Sequence, residues 1–264
     1  MDSALDIHDL KALLDWQGDL GATEAIGDVA INRYELPDTA AKPARAAAAG
    51  TSAPSPTPLS GTDAVAVARA AAAAAPDLAG LRAALAAYEH CEIKRGARNL
   101  VFCDGRPGAR VMIIGEAPGR EEDREGRPFI GAAGQLLDRM LAAIGLSRTG
   151  DTAENAVYIT NVLPWRPPQN RDPRPDEIAM LTPFVARHVQ LADPDLVILM
   201  GNISCQAALD QRGVTRLRGT WTQAYGKPAM PMCHPAYLLR TPLAKRDAWA
   251  DLLQIKARLR GDST

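Results

Sequence analysis

The residues able to do chemistry gather where apolar runs end. Val111-Met-Ile-Ile-Gly115 reads as a buried strand, and it passes straight into Glu116-Ala-Pro-Gly119, a carboxylate carried on a stiff Pro-Gly turn. Open α/β sheets bind their ligands just beyond the carboxyl ends of such strands. The turn alone is weak evidence, because neither G-x-G-x-x-G nor G-x-x-x-x-G-K-[ST] is present to cradle phosphate, and a structural turn explains it equally well. Asn161 ends another apolar run, where its amide either offers a donor and an acceptor to a ligand edge or caps the strand. His234 ends a further run and precedes Pro235, while Phe129 lies in the loop Arg127-Pro-Phe-Ile-Gly131. A lone histidine is most often structural, and periodicity by itself puts Phe129 in the core.

The elements that must position these groups read as an α/β domain. Four short apolar runs, Arg110–Gly115, Ala156–Thr160, Leu196–Met200 and Ala229–Cys233, have the composition of strands buried on both faces. Helical stretches fall between and after them, over Gly134–Ile144, Pro175–Ala192, Ser204–Gln211 and Ala244–Leu259. That alternation predicts a three-layer α/β/α sandwich around a central four-stranded parallel sheet. Upstream, Asp63–Tyr88 is rich in Ala and Leu, interrupted by Pro76 and Gly80, and reads as two helices opening a domain that spans 63–264. Residues 1–36 read as a helical arm, with Leu5, Leu10, Leu13, Leu14 and Trp16 at helical spacing. Residues 37–62 are Ala, Pro, Thr and Ser with almost no large apolar side chains, the composition of a linker without fixed structure.

Bulk properties exclude little. A net charge of -1 and a pI near 6.4 give no global signature for nucleic acid, so a DNA-binding surface would have to be a local patch. No apolar run is long enough to span a membrane and the acidic N-terminus is unlike a secretory signal, so a cytoplasmic protein is expected. Cys91, Cys103, Cys205 and Cys233 never form C-x-x-C, which points to buried free thiols.

Taken in order, the blocks Gly115-Glu-Ala-Pro-Gly-Arg-Glu-Glu-Asp123, Arg127-Pro-Phe-Ile-Gly131, Ala133-Gly-Gln-Leu-Leu-Asp138, Tyr158-Ile-Thr-Asn-Val162, Arg166-Pro-Pro-Gln-Asn-Arg171 and His234-Pro-Ala-Tyr-Leu-Leu-Arg240 resemble family-four uracil-DNA glycosylases from about Tyr88 to Leu259. The resemblance implies an enzyme of base-excision repair that hydrolyses the N-glycosidic bond of uracil in DNA and leaves an abasic site. It implies that Phe129 stacks on the flipped pyrimidine and that Asn161, beside Ala117, reads its polar edge. His234 would donate to uracil O2 as negative charge builds there. Glu116 and Glu122 are placed at the catalytic centre. Ala117 stands where family-one relatives carry a water-activating aspartate, so a largely dissociative mechanism is expected. The DNA grip is expected from Arg166, Arg171 and Arg240, with Arg174, Lys245 and Arg246 nearby, and a wedge from Tyr237, Leu238 or Leu239.

The resemblance also implies a [4Fe-4S] cluster on four cysteines, and here this sequence departs from it. Only Cys91 is retained; Lys94, Trp165 and Leu181 occupy the other three positions, so no cofactor and no metal are expected, and apolar packing should fill the space. The expected partner is uracil-containing DNA, bound by a monomer, with the N-terminal arm either recruiting a replication or repair partner or packing on the catalytic domain. Two rival readings stand beside the enzyme: a catalytically weakened uracil- or DNA-binding module on the same fold, and a nucleotide-dependent Rossmann enzyme, for which the phosphate-binding glycines are missing.

Overall fold

Runs of aliphatic residues with no polar alternation form strands that must be covered on both sides, and four of them make the centre of this fold. The structure, a computed structural model, describes residues 61–261, all within the second of two units into which the chain divides, Pro56–Thr264. The expected arm and most of the expected linker lie outside the described residues. The central strands are β2 (Val111–Gly115), β3 (Val157–Asn161), β4 (Leu196–Met200) and β6 (Lys227–Met232), joined in parallel in the order β3-β2-β4-β6. β2, β3 and β4 are buried throughout.

The sheet has six strands, not the expected four. β1 (Asp104–Gly105) adds antiparallel to β3, and β5 (Thr222–Ala224) adds antiparallel to β6 through a hairpin at Tyr225 and Gly226, both at positive φ. Two or three residues on a sheet edge carry no periodic pattern, which is why the sequence does not announce them.

Helices cover both faces. On one side α1 (Gly61–Ala74) and α2 (Leu78–Ala87) pack on the long α5 (Pro175–Ala192); elsewhere α4 (Ala132–Ala143) packs with α8 (Pro235–Arg240) and α9 (Lys245–Arg260). Three short helices, Arg120–Glu125, Asn202–Leu209 and Val214–Leu217, complete the set. α1 begins at Gly61, just ahead of the boundary read from composition. It comes close to α5 because Ala64, Ala68, Ala72 and Ala75, spaced a turn apart, are all buried. The Tyr88 hydroxyl donates to the Ala64 carbonyl at 2.9 Å and Arg187 Nη2 donates to the Ala75 carbonyl at 2.8 Å, tying both ends of α1 down.

α5 starts at Pro175 because a proline at the first helical position sacrifices no hydrogen bond, and Glu177 reaches back to accept from the Arg174 N–H at 2.8 Å. This helix tolerates Pro183 in its interior, and Asp193 closes it in a left-handed conformation.

The close α1–α5 contact is testable. Ala68→Leu should destabilise the protein by about 1–3 kcal/mol through overpacking, while Val67→Leu, at a position 40% exposed, should be nearly neutral; urea unfolding of the two variants measures the difference.

Candidate active site

The chain runs from β2 outward to β3 and then back across to β4, so the sheet reverses its order beside β2, where open α/β folds place their ligands. Gly115 ends β2 directly opposite Asn161, which ends β3. A Cβ on Gly115 would lie 2.3 Å from Asn161 Oδ1 and 2.5 Å from Phe129 Cε2, so only glycine lets these two side chains close over the strand end. Beyond it opens a cleft of about 370 Å³ whose walls include Glu116, Ala117, Phe129, Asn161, His234 and Arg240.

Phe129 has φ +54°, a conformation costly for a bulky L residue, and its surroundings hold it there. Arg148 Nη2 donates to its carbonyl at 2.8 Å, and that carbonyl occupies the space a Cβ on Gly134 would need, 1.8 Å away. The Phe129 ring stacks on the His234 ring with centroids 5.3 Å apart and planes at 25°. The expected pair of aromatic face and imidazole is therefore brought together, by a loop whose geometry the sequence did not announce.

Glu122 turns out to be the brace of that loop. Its carboxylate accepts from the N–H groups of Gly119 at 3.0 Å, Ile130 at 2.9 Å and Gly131 at 3.0 Å. Glu122 was expected at the catalytic centre, either as a catalytic carboxylate or as a supporting hydrogen-bond acceptor; it borders the cleft, and both its oxygens accept from main-chain donors. Glu116 is the carboxylate left for chemistry. Burial holds its pKa above the usual carboxylate range, the negative charge of Asp172 adds to this, and Arg212 opposes it.

Asn161 is 6% exposed, and its amide makes no hydrogen bond among the described residues. Packing fixes it while its donor and acceptor stay unused, the state of a group that awaits a ligand. His234 caps α8: its Nδ1 accepts from the Ala236 N–H at 3.2 Å, which leaves the proton on Nε2. Burial, reinforced by the nearby Arg240 and opposed by Glu122, pushes the imidazole pKa down to about 4, so the ring is a neutral donor at physiological pH.

The outer residues divide. Arg240 lines this cleft and an adjoining one of about 440 Å³ that also includes Glu116, Asp172, Arg212 and His234. Arg166 Nε donates to Asn170 Oδ1 at 2.8 Å. Arg171 borders the cleft but is bound at both guanidinium nitrogens by the buried Glu177, at 2.9 and 2.6 Å, so its charge is largely spent within the protein. Arg174 is likewise paired, with Asp176 and Glu177. Leu238 is 1% exposed and packs in the core, which corrects its expected contact with DNA; Leu239 is 41% exposed. Arg148, Asp172 and Arg212 escaped sequence reading, because nothing in their local sequence marks them as neighbours of the cleft.

The expected cluster position is filled. Cys91, Trp165 and Leu181 are buried, and Lys94 Nζ lies 5.9 Å from the centre of the Trp165 ring while donating to the Ala86 carbonyl at 2.7 Å and pairing with Glu89. Burial pushes the Cys91 thiol up to about 11, away from the thiolate a cluster requires. An ammonium, an indole and an isobutyl group cannot ligate iron, and the residues present do not fit a [4Fe-4S] cluster. Among the described residues no group of three or more His, Cys, Asp or Glu side chains is arranged to hold a metal ion.

Fold and cleft together define an open α/β protein whose cleft, where the sheet reverses order, is lined by an aromatic face, an amide and an imidazole. Residues 102–253 match the family model of the uracil DNA glycosylase superfamily. The chain is 34% identical to the type-4 uracil-DNA glycosylase of Sulfurisphaera tokodaii over 68% of this chain and 83% of that protein. It is 36% identical to the type-4 uracil-DNA glycosylase of Pyrobaculum aerophilum over 67% of this chain and 91% of that protein. The type-4 uracil-DNA glycosylase of Thermotoga maritima is 36% identical, over 57% of this chain and 77% of that protein. The chain belongs to the uracil DNA glycosylase superfamily, and within it these similarities lie with the type-4 branch.

The protonation state of His234 gives a direct test. NMR titration of its ring protons should show a midpoint near 4, with no step near the ordinary histidine value of about 6.5.

Proposed function

We propose that this protein excises uracil from DNA, hydrolysing the bond between the base and deoxyribose and leaving an abasic site. The observation that carries this is the unused Asn161 amide, held beside the Phe129 face and the neutral Nε2–H of His234. A flipped uracil is a flat ring with an acceptor, donor, acceptor edge, and these groups match it: Phe129 stacks on the face, Asn161 takes the N3–H and donates to O4, and His234 donates to O2. An amide locked in one orientation discriminates against cytosine, whose exocyclic amine donates where uracil O4 accepts.

The chemistry follows from charge. As the glycosidic bond breaks, its electron pair leaves with the base and negative charge grows on uracil O2, where the His234 donor is already aimed. A neutral imidazole suits this role, since its Nε2–H donates to the growing anion without a full positive charge having to be kept in a buried site. The sugar is left with positive charge at C1′, which the Glu116 carboxylate stabilises. Water then adds to C1′, and its proton passes to Glu116 or to solvent. The methyl of Ala117 offers no second base, which favours bond breaking ahead of water attack.

We further read the protein as a monomer acting in the cytoplasm on nucleoid DNA, with residues 1–36 either recruiting a replication or repair partner or packing on the catalytic domain. No helix among the described residues is long and apolar enough to cross a membrane. Phosphate contacts are assigned to Arg166 and Arg240, with Arg171 a weaker participant because Glu177 holds it. The packing of Lys94, Trp165 and Leu181 supports a protein that works without an iron-sulfur cluster.

An oligonucleotide carrying a single uracil, cleaved by alkali after incubation, tests the activity. Wild-type protein should yield scission, and His234→Ala should lower kcat by about 10²- to 10³-fold; Asn161→Ala should abolish preference for uracil. Tight uracil-strand binding without scission would replace the enzyme by the binding module. Separately, protein purified without oxygen should contain no stoichiometric iron and show no absorption band near the ~400 nm region typical of clusters held by thiolates. A full complement of iron would overturn the cofactor-free reading and leave the excision result standing.

A further inference from the structure

Phe129 reaches the cleft in a backbone conformation that a bulky side chain avoids, and such strain persists only where the surroundings over-determine it. Glu122 ties the loop at Ile130 and Gly131. Pro128 and Phe129 themselves are tied by Arg148, a residue that lines neither cleft and lies in the turn between α4 and β3.

Every nitrogen of the Arg148 guanidinium is engaged, and its side chain is 9% exposed. Nη2 donates to the Phe129 carbonyl at 2.8 Å, Nη1 to the Pro128 carbonyl at 3.1 Å and to Asp104 Oδ2 at 2.8 Å, and Nε to Asp138 Oδ1 at 2.8 Å. One planar fork thus holds two successive carbonyls of the loop while two carboxylates orient it, one from the edge strand β1 and one from α4. A lysine, with a single nitrogen, satisfies a carboxylate but cannot meet all four acceptors in this spread. Asp104 also accepts from Arg127 Nη2 at 2.9 Å, at the entrance to the same loop. Pairing of β1 with β3 sets Asp104 opposite Ile159, just ahead of Asn161. Amide and aromatic face therefore take their positions from one strand, Asn161 along the chain and Phe129 across Asp104 and Arg148.

We propose that Arg148, oriented by Asp104, is a positioning residue for base recognition: it holds the strained Phe129 backbone so that the ring stays against His234, and so fixes the face on which the base stacks. This rests on the reading of the protein as an enzyme that excises uracil. Arg148 touches neither base nor sugar and acts only through Phe129.

The clamp is measurable without DNA, because the stacked Phe129 ring helps to keep water from His234. In Arg148→Lys the ring should swing away, and the NMR midpoint of His234 should rise from about 4 toward the ordinary histidine value of about 6.5. The charged groups that border its clefts, Glu116, Glu122, Asp172, Arg171, Arg212 and Arg240, are unchanged by the substitution. Excision of uracil from an oligonucleotide should fall in kcat/KM by roughly 10- to 100-fold. In a Phe129→Ala background the same substitution should cost nothing further, since a residue that acts through Phe129 then has nothing left to position. Ala68→Leu, destabilised in the α1–α5 contact, should keep the wild-type midpoint. An unmoved midpoint in Arg148→Lys, an equal shift in Ala68→Leu, or a further loss in the double variant would overturn the assignment. Should Arg148→Lys not fold, Asp104→Asn takes its place with a smaller shift expected in the same direction, and no shift there overturns the assignment equally. A wild type that releases no uracil would instead overturn the reading of function, while the His234 midpoint would still decide the role of Arg148.

Discussion

Everything in the cleft depends on an atom that is missing, the β-carbon of Gly115. Because β2 ends in glycine, the side chains of Phe129 and Asn161 can converge over its end to distances no other residue would permit. Asn161 arrives there through the parallel register with β3, and Phe129 through a loop that leaves the sheet and returns. The second close approach, Gly134 beneath the Phe129 carbonyl, fixes the loop against the start of α4. Two glycines far apart in function and sequence thus set one aromatic face relative to one amide, and their substitution would misplace the ring without altering any group that does chemistry.

The polar groups are sorted by what already holds them. Glu122 and Glu177 are saturated by main-chain donors and guanidinium groups, so they act as braces. Asn161 and Glu116 are left with capacity to spare, and His234 is bound on one nitrogen only. Burial acts on the last two in opposite chemical senses but toward the same end: it lifts the carboxylate pKa and lowers that of the imidazole, favouring the neutral form of each. For His234 the shift leaves the ring neutral at physiological pH, and Glu116 is displaced in the same sense from the ordinary carboxylate value.

The central sheet was legible because five-residue aliphatic runs leave few alternatives, and α5 was legible to its ends because Pro175 at its start and Asp193-Pro194 beyond its end are strong boundary signals. The edge strands were not, being two and three residues long. Among the site residues, Phe129, Asn161 and His234 were found through the order of their sequence blocks, since periodicity alone gave each a structural role. The two readings of Glu122 stayed open for a physical reason: a sequence shows that a carboxylate is present and says nothing about how many of its lone pairs are taken. Leu238 and Leu239 illustrate the same limit for apolar groups, because the orientation of one short helix decides which leucine is buried and which is exposed.

The bidentate hold of Glu177 on Arg171 reaches beyond the loop it shapes. Attraction of a protein to undamaged duplex comes mostly from cations that displace counterions, and each one neutralised internally removes a share of it. With Arg171 and Arg174 both paired and an overall charge of -1, less of this chain's positive charge is free to displace counterions than its number of arginines implies. Brief residence on intact sequence is what a search through a long chromosome rewards, since time lost at each normal base pair is multiplied by the number of pairs inspected.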